Sequence, residues 1–267
     1  KSLIMVPITI RDLEIGSGMP KVCLPIVGHT QYEIVSQTMT IASLKPDIVE
    51  WRVDWYDDVL QSENLIEMLK QVRKLLDKIP LLLTFRRVEE GGVQECTIEE
   101  YTRVYETAIQ SGLVDLVDYE LEVGDDALIP LIKHAKDAGI TVVVSNHDFE
   151  KTPAKKELIR RMEKMIEINA DIPKIAVMPN SNRDVLELLD VTDTIHQKYP
   201  DVPIITMSME GRGIVSRVCG EIFGSCVTFG CARKASAPGQ IEADDLERAI
   251  KIIHENLYHK DEFENMQ

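Results

Sequence analysis

No stretch of about 18 or more consecutive apolar residues occurs in this chain, so nothing in it reads as a membrane-spanning helix. No basic-then-apolar leader opens it, so a signal peptide is not expected. Basic residues are scarce relative to acidic ones. Lys and Arg total 30 against 45 Asp and Glu, for a net charge of −15. That balance argues against nucleic acid and anionic membranes as partners, because both need basic patches. Cysteines are few and unpatterned: Cys23, Cys96, Cys219, Cys226 and Cys231, an odd count without a C-x-x-C. The expectation is free thiols in a reducing cytoplasm and no zinc or other metal site. A complete dinucleotide fingerprint is missing too, since Gly211-Arg212-Gly213 has no third glycine.

What is present is a globular composition, 44% apolar and 28% charged over 267 residues. That length is slightly above the ~250 typical of one (β/α)₈ barrel, although it also permits two small domains. Residues 3–15 read as a β-hairpin closed by Gly16-Ser17-Gly18, placed to close one end of a barrel. From Lys21 onward apolar strand-like runs fall at 22–27, 48–53, 80–85, 113–121, 140–145, 173–178, 203–207 and 226–229. Helix-period segments follow them at 30–44, 60–78, 97–111, 125–138, 153–169, 181–198, 213–223 and 242–257. Thr97-Ile98-Glu99-Glu100 has capping-box spacing, Thr152-Pro153 puts proline in a first turn, and Ala138-Gly139 ends a helix. Strict strand–helix alternation implies a parallel sheet, and eight units imply a closed barrel. The expectation is therefore an α/β fold: a single (β/α)₈ TIM-barrel domain over 1–267, with 1–18 as the N-terminal hairpin. Pro25 strains this reading, because proline removes a ladder donor from its strand.

Barrel chemistry sits at the carboxyl ends of the strands. Lys174 lies on the strand Ile172-Pro173-Lys174-Ile175-Ala176-Val177. Burial or cationic neighbours can lower a lysine's affinity for its proton, and the neutral amine attacks carbonyl carbons to form Schiff bases. A surface residue or an internal ion-pair partner is the plainer alternative. Period-two alternation puts Glu50, Arg52 and Asp54 on the inward face, with Glu50 and Arg52 as an internal charged pair or as binders of hydroxyls and carboxylate. Arg86 belongs to the inward set with Thr84 and Leu82. Glu90 precedes the Gly91-Gly92 turn as a candidate orienting carboxylate. Asp118 and Glu120 share a face and can counter Lys174. His147 ends a β-branched run and suits proton transfer at neutral pH. Gly211-Arg212-Gly213 can hold an anion through backbone N–H groups, and Arg217 can clamp a carboxylate. The small polar stretch from Lys234 to Gln240 can fold down as a lid, with a plain linker as the alternative. Together these residues point to Schiff-base lyase chemistry on a keto acid.

With these motifs assembled, the chain resembles the type I 3-dehydroquinate dehydratases of the shikimate pathway. The matching stretches are Glu50-Trp51-Arg52-Val53-Asp54, Thr84-Phe85-Arg86 with Glu90-Gly91-Gly92, His147-Asp148-Phe149, Pro173–Pro179, Ser216-Arg217, and Lys234-Ala235-Ser236-Ala237-Pro238-Gly239-Gln240. They cover nearly the whole chain. The resemblance implies a barrel without metal or organic cofactor that dehydrates 3-dehydroquinate reversibly to 3-dehydroshikimate. It implies an imine between Lys174 and the C3 ketone, His147 as general acid and base, and Glu90 orienting it. It implies Arg217 on the carboxylate, with Glu50, Arg52, Arg86, Ser236 and Gln240 completing substrate binding. It further implies a homodimer with a small-molecule substrate, in the cytoplasm that the cysteines already suggest. Pro25 stands where family members often carry serine, and Asn146 where many have tyrosine. The rival readings are a class I Schiff-base aldolase or transaldolase acting on a sugar phosphate, and a non-catalytic barrel that binds a carboxylate ligand.

Overall fold

The computed structural model describes residues 7–232 and 240–257. β1 (Ile8–Ile10) and β2 (Leu13–Ile15) form the antiparallel hairpin, with Ile8 opposite Ile15. Eight parallel strands follow: β3 (Lys21–Ile26), β4 (Ile48–Arg52), β5 (Leu81–Thr84), β6 (Leu116–Glu120), β7 (Thr141–Asp148), β8 (Ile172–Val177), β9 (Ile205–Ser208) and β10 (Val227–Phe229). The order is β10-β3-β4-β5-β6-β7-β8-β9. The seam between β9 and β10 is stitched rather than laddered. Cys226 N–H donates to the Ile204 carbonyl at 2.9 Å, and the Ser225 hydroxyl accepts from Thr206 N–H at 3.0 Å. The ring is thereby a (β/α)₈ barrel.

The surrounding helices are α1 (Gln31–Ser43), α2 (Ser62–Leu76), α3 (Ile98–Ser111), α4 (Asp125–Asp137), α5 (Lys155–Glu167), α6 (Asn182–Lys198), α7 (Val215–Val218), α8 (Gly220–Phe223) and α9 (Ala243–Leu257). Thr97 and Glu100 form the expected capping box, and Gly139 takes the left-handed conformation just past α4. Two boundaries depart from the sequence pattern. The segment 213–223 is two short helices rather than one, because the Thr228 hydroxyl takes the Arg217 carbonyl at 2.7 Å and withdraws it from the helical ladder. α5 starts at Lys155, so Pro153 lies outside its first turn. Its leading N–H is satisfied by Glu187 of α6 at 2.8 Å, a partner remote in sequence.

Pro25 fits its strand. Cys23 turns its carbonyl toward β10, where Gly230 N–H donates to it, so Pro25, two residues on, faces the same side. β10 has ended by then, its last register pair being Phe229 with Cys23, and no ladder donor is lost.

Alternation sorts the strands into an outer and an inner face. Outward residues such as Leu24, Trp51, Leu83, Val117, Val144 and Ile175 join the helices in one large core. The inner face begins as an apolar floor. Cys23, Ile48, Leu82, Leu116, Val143, Ile172 and Ile205 pack with Ile10 and Ile15 of the hairpin, which plugs the amino-terminal end. Two residues farther along β4 to β8 the inner face becomes polar, with Pro25, Met207 and Phe229 at that level on β3, β9 and β10, and there the site begins.

The Ser225 stitch is testable. Ser225→Ala leaves Thr206 N–H without its acceptor and should lower stability by about 1–3 kcal/mol, read as the denaturant midpoint. An unchanged midpoint contradicts the assigned role.

Candidate active site

The polar inner face holds Glu50, Thr84, Asp118, Ser145 and Lys174, all buried. Asp118 gathers Lys174 and Ser145 with Arg86. It lies 3.3 Å from Lys174 Nζ and 2.9 Å from Arg86 Nη2, and it accepts the Ser145 hydroxyl at 2.5 Å. Burial alone would push its carboxyl up, but Arg86 and Lys174 overcome that and hold it below the ordinary carboxylate range. Lys174 Nζ also sits 4.4 Å from the centre of the Phe229 ring, over the electron-rich face. The lysine is thus inside the barrel, in the environment of an ion pair rather than of an isolated amine. Asp118 counters it, whereas Glu120 is engaged elsewhere. Glu120 accepts Arg86 Nη1 at 3.0 Å, Arg87 Nε at 2.7 Å and Arg87 N–H at 2.9 Å.

Two tyrosines of α3, four residues apart and therefore on one helix face, open the mouth here. β5 and β6 pair only as far as Thr84 with Asp118. Beyond that the Tyr105 hydroxyl accepts from Phe85 N–H at 2.9 Å and donates to the Asp118 carbonyl at 2.5 Å. The Tyr101 hydroxyl accepts from Glu120 N–H at 3.0 Å.

One step higher stands His147, within β7 and opposite Ala176 of β8. Its Nδ1 lies 3.3 Å from Glu90 Oε1, and its backbone N–H donates to the same oxygen at 2.6 Å. Nδ1 therefore carries the proton and Nε2 is left to act as a base. Burial first, then Arg86, Lys174 and Arg52, keep His147 well below its ordinary value, so the resting imidazole is neutral. Glu90 ends a short 3₁₀ turn (Val88–Glu90). Burial and the charge of Glu120 push its carboxyl up to about 8. The glycine pair after it is required by space. Gly91 has φ +88° with the Phe149 ring where a side chain would go, and a Cβ on Gly92 would come within 1.7 Å of the Arg86 carbonyl oxygen. Phe149 in turn lies nearly parallel to the His147 ring, centroids 6.4 Å apart.

A cavity of about 710 Å³ opens over these groups at the carboxyl ends of the strands. Lys174, His147, Glu50, Arg52, Arg217 and Gln240 line it. Arg217 is half-buried, and among the described residues its guanidinium meets only the Phe229 carbonyl at 3.3 Å, while Nε has no partner there. Burial holds it below the ordinary arginine range. A desolvated cation without a carboxylate on a cavity wall is a site for an anion.

Several expectations need correction. Glu50 and Arg52 are not paired. Arg52 is held bidentately by Asp54 at 2.7 and 2.8 Å, and Glu50 accepts the Thr84 hydroxyl at 2.8 Å. Alternate inward positions rise along the strand, so Asp54 at the strand exit reaches Arg52 where Glu50 below does not. Arg86 is saturated by Asp118, Glu120 and Ser145 and does not line the cavity. The Gly211–Gly213 turn likewise lies off the cavity wall, with Gly213 pressed against the Ser208 carbonyl. Ser236 and the stretch from Lys234 to Gly239 lie outside the described residues. Ser145, Phe229 and the two tyrosines were missed. Extending the inward alternation from Lys174 across neighbouring strands reaches Ser145 and Phe229, whereas nothing local marks the tyrosines. Among the described residues no group of three or more His, Cys, Asp or Glu side chains is placed to hold a metal ion.

Comparison with known proteins agrees with this architecture. Residues 22–257 match the family model for type I 3-dehydroquinase. The chain is 48% identical over 250 residues to 3-dehydroquinate dehydratase of Clostridium botulinum, spanning 94% of this chain and 98% of that one. It is 45% identical over 251 residues to the Salmonella agona protein of the same name, spanning 94% and 100%. The crystal structure of type I 3-dehydroquinate dehydratase from Clostridium difficile, with covalently modified comenic acid, superposes with a TM-score of 0.93 at 42% identity, over 95% of this chain and 100% of that one. On this evidence the chain belongs to the type I 3-dehydroquinase family.

Proposed function

We propose that this protein removes water from 3-dehydroquinate to give 3-dehydroshikimate through a Schiff base on Lys174. The observation that carries the reading is that Lys174, His147 and Arg217 face one cavity at the carboxyl mouth of the barrel, in a chain of this family. Arg217 binds the substrate carboxylate, and Arg52, Glu50 and Gln240 contact the hydroxyls. Ser236 joins them from the stretch outside the described residues. Arg86 serves from beneath by holding Asp118, which holds Lys174.

The steps balance as follows. Lys174 gives up its proton to His147 Nε2, and the neutral amine adds to the C3 carbonyl carbon. The imidazolium returns that proton to the carbinolamine hydroxyl, which leaves as water to give an iminium and neutral His147. That cation withdraws electrons and makes the C2–H acidic. His147 Nε2 takes the C2 proton, giving an enamine. The enamine expels the C1 hydroxyl, protonated by the same imidazolium, and the C1–C2 double bond forms. Water then hydrolyses the iminium and restores Lys174, for a net loss of one water from the substrate. Glu90 holds Nδ1–H and, when ionised, stabilises the imidazolium.

A sugar-phosphate aldolase is the weaker reading. Among the described residues the cavity offers one guanidinium without a carboxylate partner, and the family match is to dehydroquinases. The same residues argue against a mute binding barrel, since amine, imidazole and orienting carboxylate are all in place. We further propose one barrel domain acting as a homodimer in the cytoplasm. Cys23, Cys96, Cys219 and Cys226 stand as thiols, which supports a reducing compartment, and family membership supports the dimer. A monomer by light scattering contradicts the dimer.

Borohydride reduction in the presence of 3-dehydroquinate should add one ligand mass to Lys174, with enone absorbance appearing in unreduced samples. An adduct elsewhere, or none, contradicts the mechanism. Lys174→Ala should abolish turnover but keep ligand binding. His147→Ala should cost about 10²–10⁴-fold in kcat while still permitting an imine. Near-full turnover by either variant refutes the assigned role. The rate should also depend on pH through Glu90. Below about 8 its carboxyl is neutral and cannot stabilise the imidazolium, so kcat should rise as pH increases through that value. His147 is already neutral there and adds no step. Glu90→Gln should flatten this rise, and a profile unchanged in that variant contradicts the assignment.

A further inference from the structure

Asn146 points outward from β7, away from the cavity, yet it is buried and both ends of its amide are engaged. Arg161 of α5 donates Nη1–H to Asn146 Oδ1 at 2.8 Å, and its Nε is fixed by Glu157 Oε1 at 2.9 Å. A guanidinium offers only donors, so the amide must present its oxygen to Arg161. The NH₂ is thereby forced to the other side, where it donates to Glu90 Oε1 at 3.4 Å. That oxygen is the one that also accepts His147 N–H and Nδ1–H. The second carboxyl oxygen of Glu90 is buried and has no donor among the described residues. The charged groups facing Glu90 are Glu120, which repels its charge, and Arg86, which favours it. With repulsion and burial against the ionised form, each N–H directed at Oε1 counts. A free amide could rotate its oxygen toward Glu90 and turn a donor into a repulsive lone pair. The Arg161 clamp forbids that rotation.

We propose that Asn146, with its amide locked by Arg161, is a positioning residue that favours the ionised form of Glu90 and aims it at His147. It touches no substrate. The inference rests on the reading of His147 and Glu90 as the acid–base pair, and its test separates the two.

Asn146→Leu keeps the volume and removes the donor. It should lower kcat at pH 7 by about threefold to tenfold, the range of one ordinary hydrogen bond, as suits its 3.4 Å length, and move the rising limb of the kcat profile to higher pH. KM for 3-dehydroquinate should stay within about twofold, because no substrate contact changes. Arg161→Met, on the helix and less disruptive to the barrel, should shift the limb in the same direction by less. In the Asn146→Leu background Arg161→Met should have no further effect, since Arg161 acts only through the amide. A purely structural role predicts a lowered melting temperature with the limb unmoved, and additive effects in the double variant. Either result overturns the proposal. If wild-type protein shows no dehydratase turnover, the functional reading fails. The proposal is then decided by the imidazole NMR signals of His147: a hydrogen-bonded Nδ1 proton in wild type that weakens in both variants supports it, and identical signals refute it.

Discussion

Asp118 is the charge on which the interior of this barrel depends. Its side chain is fully buried, and it faces an ammonium, a guanidinium and a hydroxyl at once. Removing one member of such a cluster leaves an uncompensated charge in a medium of low dielectric, which is far more costly than losing a surface pair. The network therefore fixes Lys174, Arg86 and Ser145 together. In the proposed Schiff-base reaction the attacking nitrogen therefore starts beside a carboxylate held in its ionised form.

That cluster is usable because the barrel is asymmetric along its axis. The hairpin residues Ile10 and Ile15 seal an apolar floor beneath it. The cavity beside Lys174 opens at the opposite, carboxyl end. Above the cluster the walls carry groups of unlike character: neutral His147 on one strand, and Arg217, a cation without an acidic partner among the described residues, beside another. The charged lower tier holds the lysine in place, while the upper tier is left with unspent hydrogen-bonding capacity for a ligand.

The architecture was legible because strand–helix alternation and inward–outward alternation are both periodic signals. Eight strands, the hairpin and the capping box at Thr97 follow from them. What failed was set by contacts remote in sequence. Thr228 breaks the segment 213–223, and Glu187 replaces a local cap at α5. In the site, sequence alternation put Lys174, Glu50, Arg52 and Arg86 on the inner face, but it could not choose partners. Arg52 turned to Asp54 instead of Glu50, and Arg86 went entirely to buried acids. Pairing depends on strand tilt and on where each strand stops, which one sequence does not encode locally. The splaying of β5 from β6 by Tyr101 and Tyr105 belongs to the same class, since both lie on a helix whose facing was predictable but whose insertion between strands was not.

The central claim is that the nitrogen of Lys174 bonds covalently to the substrate ketone inside the barrel. A crystal structure of the protein reduced with borohydride in the presence of 3-dehydroquinate tests it most directly. The account predicts continuous density from Lys174 Nζ to the former C3 carbon, with the ligand carboxylate on Arg217 and the adjacent carbon facing His147 Nε2. Density on another side chain, or a carboxylate bound away from Arg217, would contradict it.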